Sequence, residues 1–272
     1  MIPTISQVCT LHASTERDIE DFAAGHCESV EAWLTKVEQY LESHSIQDLQ
    51  QVLEANQVRL TAASYQGGLF VPSGPMHQEA WSLFSRRLAL CRELNIPVLV
   101  VACDVPGPLR RDDLERVQRS LSEAAKQAEE AGVRLAIEFQ ARAGIGNNLQ
   151  TMAALVEQVG SRHLGICLDV FHFFIGPSKL SDLGYLTAEN LLHVQVCDLA
   201  DTPRELASDS DRILPGDGDF DLETVVRYLE TIEYRGCVSL ELMNPRLWQV
   251  PPLQMGEIGI TAVRKLLGQA EI

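Results

Sequence analysis

Positive charge is scarce in this chain. Among 272 residues there are 22 Lys and Arg against 38 Asp and Glu, a formal charge of −16. Nucleic-acid binding rests on basic side chains neutralising phosphates, and no basic cluster interrupts the acidic balance, so a nucleic-acid partner is not expected. The acid excess is densest from Asp198 to Glu223, where nine carboxylates face only Arg204 and Arg212. The seven cysteines include no CxxC pair and are odd in number, which argues against a zinc ribbon or a closed disulfide framework. Five of them, Cys9, Cys103, Cys167, Cys197 and Cys237, sit in apolar runs, as small buried hydrophobes do. No apolar run reaches the roughly 18 residues of a membrane span. The opening MIPTISQVCTLHAS has no basic stretch leading into an apolar one, so no secretory leader is read there. These absences together predict a soluble cytoplasmic protein. Neither GxGxxG nor GxxxxGK[ST] follows a strand-like run, which removes the usual phosphate-cradling turns. No Gly-, Ser- or Pro-rich linker divides the chain, and residues 1–272 are read as one domain.

What is present is alternation. Strand-like runs are ISQVCTL (5–11), SVEAWL (29–34), RLTAASYQ (59–66), VLVVACD (98–104), RLAIEFQ (134–140), LGICLDV (164–170), LLHVQVCD (191–198) and CVSLELMN (237–244). Amphipathic stretches lie between them. In the clearest, Asp113 to Gly132, Leu114, Val117, Leu121, Ala124, Ala125 and Ala128 recur at helical spacing before a glycine stop. Lys36–Asn56, His77–Leu94, Asn148–Val159, Leu222–Ile232 and Glu257–Leu267 read the same way, while the crossover from the sixth run to the seventh is short. Eight such units in one chain of this length predict an α/β fold, a single (β/α)8 TIM barrel.

Strand residues of a barrel alternate between the helix layer and the interior. That phase turns Glu138, Asp169, Gln195 and Glu241 inward on four consecutive strands, each near the C-terminal end. Barrel enzymes keep their active sites at that face. Three converging carboxylates need a counter-charge, and three carboxylates with an amide oxygen form an all-oxygen set suited to Mg²⁺, Mn²⁺ or a similar divalent ion. The duller alternative is four unrelated polar residues, each paired with Lys or Arg. Four in one inward phase favour the metal.

The motifs AIEF with Glu138, LDVFH with Asp169 and His172, VQVCD with Gln195, ILPGDGD after the seventh strand and SLELMN with Glu241 resemble the xylose-isomerase-like barrel superfamily over essentially the whole chain. The likeness is strongest to its single-metal sugar isomerase and epimerase branch. The resemblance implies that Glu138, Asp169, Gln195 and Glu241 hold one divalent ion. Glu138 and Glu241 would then serve as the acid–base pair, moving a proton beside a carbonyl through a metal-stabilised enediolate. It also implies that His172 and Arg212 bind substrate, a small sugar, ketose or keto-polyol. Many relatives carry a histidine where this chain has Gln195. A lyase that dehydrates an inosose or 3-dehydroshikimate is the alternative on the same site, since part of that branch carries a glutamine on strand seven. One dehydratase type has a histidine two residues after the strand-five Glu, where this chain has Gln140. The three-metal DNA-repair branch needs more histidines and a basic face.

Simpler roles compete for two of these residues: aromatic packing of His172 among Phe171, Phe173 and Phe174, and a surface ion pair of Arg212 with Asp209 or Asp211. Asp221 is placed to cap the helix that starts at Leu222. His12, Gln66 and Asp104 at strand ends, and Trp33 as a sugar-stacking ring, are more readily structural. Lys36 and Trp248 remain weak pocket candidates, and His193 reads as a barrel-interior residue. The sequence leaves the substrate, the metal and any homo-oligomer open.

Overall fold

The computed structural model describes residues 1–270. Eight parallel strands close into a barrel in sequence order. They are β1 (Ile2–Ser6), β2 (Ser29–Trp33), β3 (Arg59–Gln66), β4 (Val98–Cys103), β5 (Arg134–Phe139), β6 (Leu164–Asp169), β7 (Leu191–Val196) and β8 (Cys237–Leu240). The helices around them are α1 (Thr15–Ala24), α2 (Leu34–Tyr40), α3 (Ile46–Ala55), α4 (Pro75–Glu93), α5 (Asp113–Ala131), α6 (Leu149–Val159), α7 (Val170–Ile175), α8 (Leu222–Thr231) and α9 (Pro252–Leu266). Among the described residues no helix is long and apolar enough to cross a membrane. All seven cysteines are free and buried.

Helix boundaries follow local chemistry. The Asn148 side chain accepts the Thr151 N–H at the start of α6, and Asp221 accepts the Thr224 N–H at the start of α8, each satisfying an orphan donor of the first turn. Gly132 closes α5 with φ of 70°, a left-handed conformation that costs glycine nothing.

Four sequence expectations are corrected. The first strand is residues 2–6, not 5–11. Pro3 disguised its start, because proline cannot donate to a ladder, yet Pro3 takes its place opposite Val238 on β8. Residues 7–10 turn into a 3-10 segment capped by Ser6. Lys36–Asn56 is two helices, because Ser45 and Asp48 form a capping box that starts α3 afresh. Strand six ends at Asp169, whose carboxylate accepts the Phe171 N–H and so opens α7 at Val170. Strand eight ends at Leu240, although Glu241 still donates its N–H to Val196. Helix α1, which the periodicity did not single out, is capped by Ser14.

The main core lies between strands and helices, and a second apolar cluster plugs the barrel itself: Ala62, Val98, Val100, Ala136, Cys167 and Leu192. Above that plug the interior turns polar. The ladder slips by one residue between Val30 and Glu31 on β2, and again where β7 meets β6 between Leu191 and His193. Such slips re-aim side chains. Leu192 and His193 consequently both contribute to the interior.

Candidate active site

Asp169 and Gln195 face each other across the ladder, and Ser239, two residues before Glu241, is the partner of Gln195. Glu138 on β5 is two residues from Ala136 in the plug. The inward phase read from the sequence therefore carries Glu138, Asp169, Gln195 and Glu241 to the mouth of the barrel. Glu138, Gln195 and Glu241 line a cavity of about 260 Å³ together with His172, Asp209 and Arg212. Trp33 and Tyr65 form one wall, with ring centroids 5.2 Å apart.

Arg212 is almost fully buried and is the cation of this site. Its guanidinium donates to Asp169 at 2.7 and 3.3 Å and to Asp209 at 2.8 and 3.0 Å, and stands 2.9 Å from Glu241 Oε2. Its carbon lies 4.3 Å from the centre of the Phe171 ring. The expected pair with Asp209 is present but is not a surface one, since Arg212 is buried; the side chain also lines the cavity. The loop that carries it is pinned by Asp198. The Asp198 carboxylate accepts the N–H groups of Leu199, Gly216 and Phe220 at 2.9, 3.0 and 3.0 Å, and its backbone bridges Ile213. Gly218 must be glycine in this loop, because a Cβ would overlap the Asp198 carboxylate and the Leu199 carbonyl.

Burial raises the Glu138 carboxyl well above the ordinary carboxylate range, and the charges of Asp169 and Glu241 add to this. Burial likewise raises Glu241, against the pull of Arg212. For Asp169 burial is the largest influence and acts upward, but Arg212, His172 and the Phe171 N–H together outweigh it and hold the carboxyl below its usual value. Glu241 has a guanidinium at contact, whereas the basic group nearest Glu138 is His172 Nε2, at 3.6 Å. Both glutamates are raised, and only Glu241 has a guanidinium at contact to oppose the shift. Burial lowers His172, which favours the neutral imidazole.

Glu138, Asp169 and His172 offer ligand atoms within 4.8 Å of one another. Three carboxylates around one guanidinium leave a surplus of negative charge that a divalent cation suits. His172 Nδ1 is buried without a partner, so this imidazole has bonding capacity left over. Gln195 commits its nitrogen: Nε2 donates to Glu31 Oε1 and Glu241 Oε1, both at 2.9 Å. Its oxygen accepts the Cys167 thiol at 3.1 Å and keeps a second lone pair. Ligation by Gln195 is therefore a matter for Oε1.

The weaker candidates separate. Trp33 and Asp104 line the cavity, and Gln140 joins them. Lys36 is bound to Asp18 and to the carbonyls of Thr10 and Gln7, a buried structural pair away from the cavity wall. Trp248 donates its indole N–H to Leu242 and packs edge-on against His12, also off the wall. Gln66 donates to Gly67 and Ala80. Glu31 was not foreseen. The available signal was a lone carboxylate in the inward phase of SVEAW; its partners at 64, 193 and 195 are too distant in sequence to be seen.

Residues 22–266 match the xylose isomerase-like TIM barrel family, and the chain belongs to that family. An inosose isomerase of Halalkalibacterium halodurans is 27% identical over 220 residues, covering 80% of this chain and 78% of the relative. A 3-dehydroshikimate dehydratase of Pseudomonas putida is 25% identical over 189 residues, covering 69% of this chain but 30% of the relative. Among solved structures, an IOLI protein with a bound zinc atom superposes with a TM-score of 0.92 at 21% identity, covering 99% of each chain.

Proposed function

We propose that this protein is a divalent-metal-dependent isomerase or epimerase of a keto-polyol or related small sugar. The observation that carries the reading is the site itself: Glu138, Glu241, Arg212 and His172, all buried, line one small cavity at the C-terminal face of the barrel, with Asp169 bound to Arg212 behind them. The similarity to inosose isomerases along four fifths of the chain supports the same substrate class. Glu138, Asp169, Glu241 and Gln195 through its Oε1 would hold the ion. Bound there, the metal would polarise substrate oxygens and offset the negative charge created when a proton leaves the carbon beside the carbonyl.

The residues divide the remaining work. Glu138 and Glu241 form the acid–base pair, one taking the proton from the carbon and the other returning one. Arg212 and His172 hold substrate oxygens, and the Trp33–Tyr65 wall presents an apolar surface to carbon–hydrogen faces. Free buried cysteines support a reducing, cytoplasmic setting. The expected outcome is solvent deuterium entering an inosose or ketose at the carbon beside its carbonyl, read by mass spectrometry. A chelator should stop this exchange and added Mn²⁺ restore it. Exchange that continues unchanged in metal-stripped protein refutes the reading.

Proton competition gives a second expectation. Burial holds protons on Glu138 and Glu241 to higher pH than an ordinary carboxyl near about 4.3, and a cation must displace them. Apparent Mn²⁺ affinity therefore rises as pH rises through the raised values and levels off above them. Titration calorimetry across pH 5–8 checks the sign; affinity that falls with rising pH contradicts it.

The dehydratase alternative shares the first proton removal and then expels a hydroxyl. Gln195 on strand seven and the dehydratase relatives keep it in view. Ultraviolet absorbance appearing on incubation with 3-dehydroshikimate, without exchange into ketoses, selects it.

A further inference from the structure

Glu31 is a fully buried carboxylate just beneath the cavity floor, with no Lys or Arg at ion-pair distance among the described residues. Its partners are all neutral or titratable donors. Ser64 Oγ donates to Oε1, Gln195 Nε2 donates to the same oxygen at 2.9 Å, and His193 Nε2 lies 3.1 Å from Oε2. A carboxylate sealed from water is costly unless its oxygens are satisfied, and here satisfaction fixes the direction of its neighbours. An amide has a donor end and an acceptor end. Because Glu31 offers only oxygens, it selects the donor end of Gln195. The same nitrogen then reaches Glu241 Oε1 at 2.9 Å, and the amide oxygen is left to the Cys167 thiol on β6 at 3.1 Å. The register slip beside Glu31 on β2 and the slip before His193 on β7 bring these two strands' polar residues together.

We propose that Glu31 is a positioning residue: its carboxylate, steadied by His193 and Ser64, fixes which end of the Gln195 amide faces the site and ties that amide to Glu241. Its consequence for metal binding rests on the reading given under Proposed function. The orientation itself does not. Groups of this kind behind a ligand commonly govern its geometry.

The first test needs no metal. In metal-free protein labelled on glutamine nitrogens, the Gln195 side-chain amide is identified by its loss in Gln195→Glu. Two carboxyl acceptors should give it slowed exchange with solvent. In Glu31→Gln that protection should fall about tenfold, the scale of one charge-assisted hydrogen bond. The second test is a double-mutant cycle on Mn²⁺ affinity. Glu31→Gln should weaken binding about 10- to 100-fold in the wild-type background and by less than about twofold once Gln195 is alanine. His193→Gln, which leaves the carboxylate in place, should give a smaller loss that also vanishes in the Gln195→Ala background, and it serves if Glu31→Gln does not fold. Unchanged Gln195 amide exchange in Glu31→Gln overturns the proposal, as does an equal loss of affinity with and without Gln195. Wild-type protein that binds no Mn²⁺ overturns the metal reading instead, and the exchange measurement still decides the role of Glu31.

Discussion

Glu138→Gln and Glu241→Gln should each lower turnover by about 10³-fold, the range expected for loss of a positioned acid or base, yet change stability by different amounts. Glutamine copies the protonated form of Glu138. A carboxyl whose folded pKa is raised favours the fold below its ordinary value, and that contribution is lost as pH rises through the raised value. Glu138→Gln removes this dependence, so the metal-free variant should match or exceed the wild type in thermal stability at neutral pH. Glu241 is different, because its carboxylate stands 2.9 Å from Arg212. Glu241→Gln removes a raised carboxyl but also a partner of the buried guanidinium, so it should stabilise the metal-free protein less than Glu138→Gln does. Turnover within tenfold of wild type in either variant would refute the acid–base assignment. Calorimetric melts beside the kinetics separate the two residues.

Arg212→Met should destabilise the metal-free protein by about 3–5 kcal/mol, the cost of breaking a buried ion pair from one side. Asp169 loses two hydrogen bonds and Glu241 loses its contact cation. The remaining carboxylates then repel without relief. A divalent ion supplies the missing charge, so saturating Mn²⁺ should recover a larger share of stability in Arg212→Met than it adds to the wild type. Arg212→Lys should fall between, since an ammonium keeps the charge but cannot fork between Asp169 and Asp209. Urea denaturation with and without metal measures all three. A loss below about 1 kcal/mol in Arg212→Met, the range of an exposed pair, would mean that the guanidinium is not the counter-charge of this site.

Much of this arrangement was legible in the sequence because a barrel strand obeys a two-residue period. AIEF, GICLD, HVQV and SLEL each turn a polar side chain to the interior near the C-terminal end of the strand, and four consecutive strands set them side by side. Periodicity is silent about loops. Arg212 could be suspected, but nothing in its neighbourhood says that it reaches Asp169 rather than water. Periodicity also fails where the ladder slips: Leu192 and His193 both contribute to the interior only because one extra residue is accommodated there. Glu31 escaped notice because its meaning lies in residues 33, 162 and 164 positions away. Pro3 hid the first strand, since a local prohibition on ladder donation was outweighed by pairing with β8.

Asp198 and Ile213 join backbone to backbone across the base of the loop that holds Arg212, and the Asp198 carboxylate fastens its far side through the N–H groups of Gly216 and Phe220. The segment between hangs from that fixed base and is tied once more at Ala207, which is buried and whose carbonyl accepts from Arg142 at 2.6 Å. Its outer edge, around Leu206, stands in solvent, and extra length there adds little closure entropy. Glu138, Asp169 and Gln195 stay on their strands, and Glu241 just past the end of β8, whatever that edge does. Variation in substrate preference within this architecture can accumulate in the hanging part without disturbing the chemistry beneath it, and residues 203–206 are where a graft from another barrel would be sewn in.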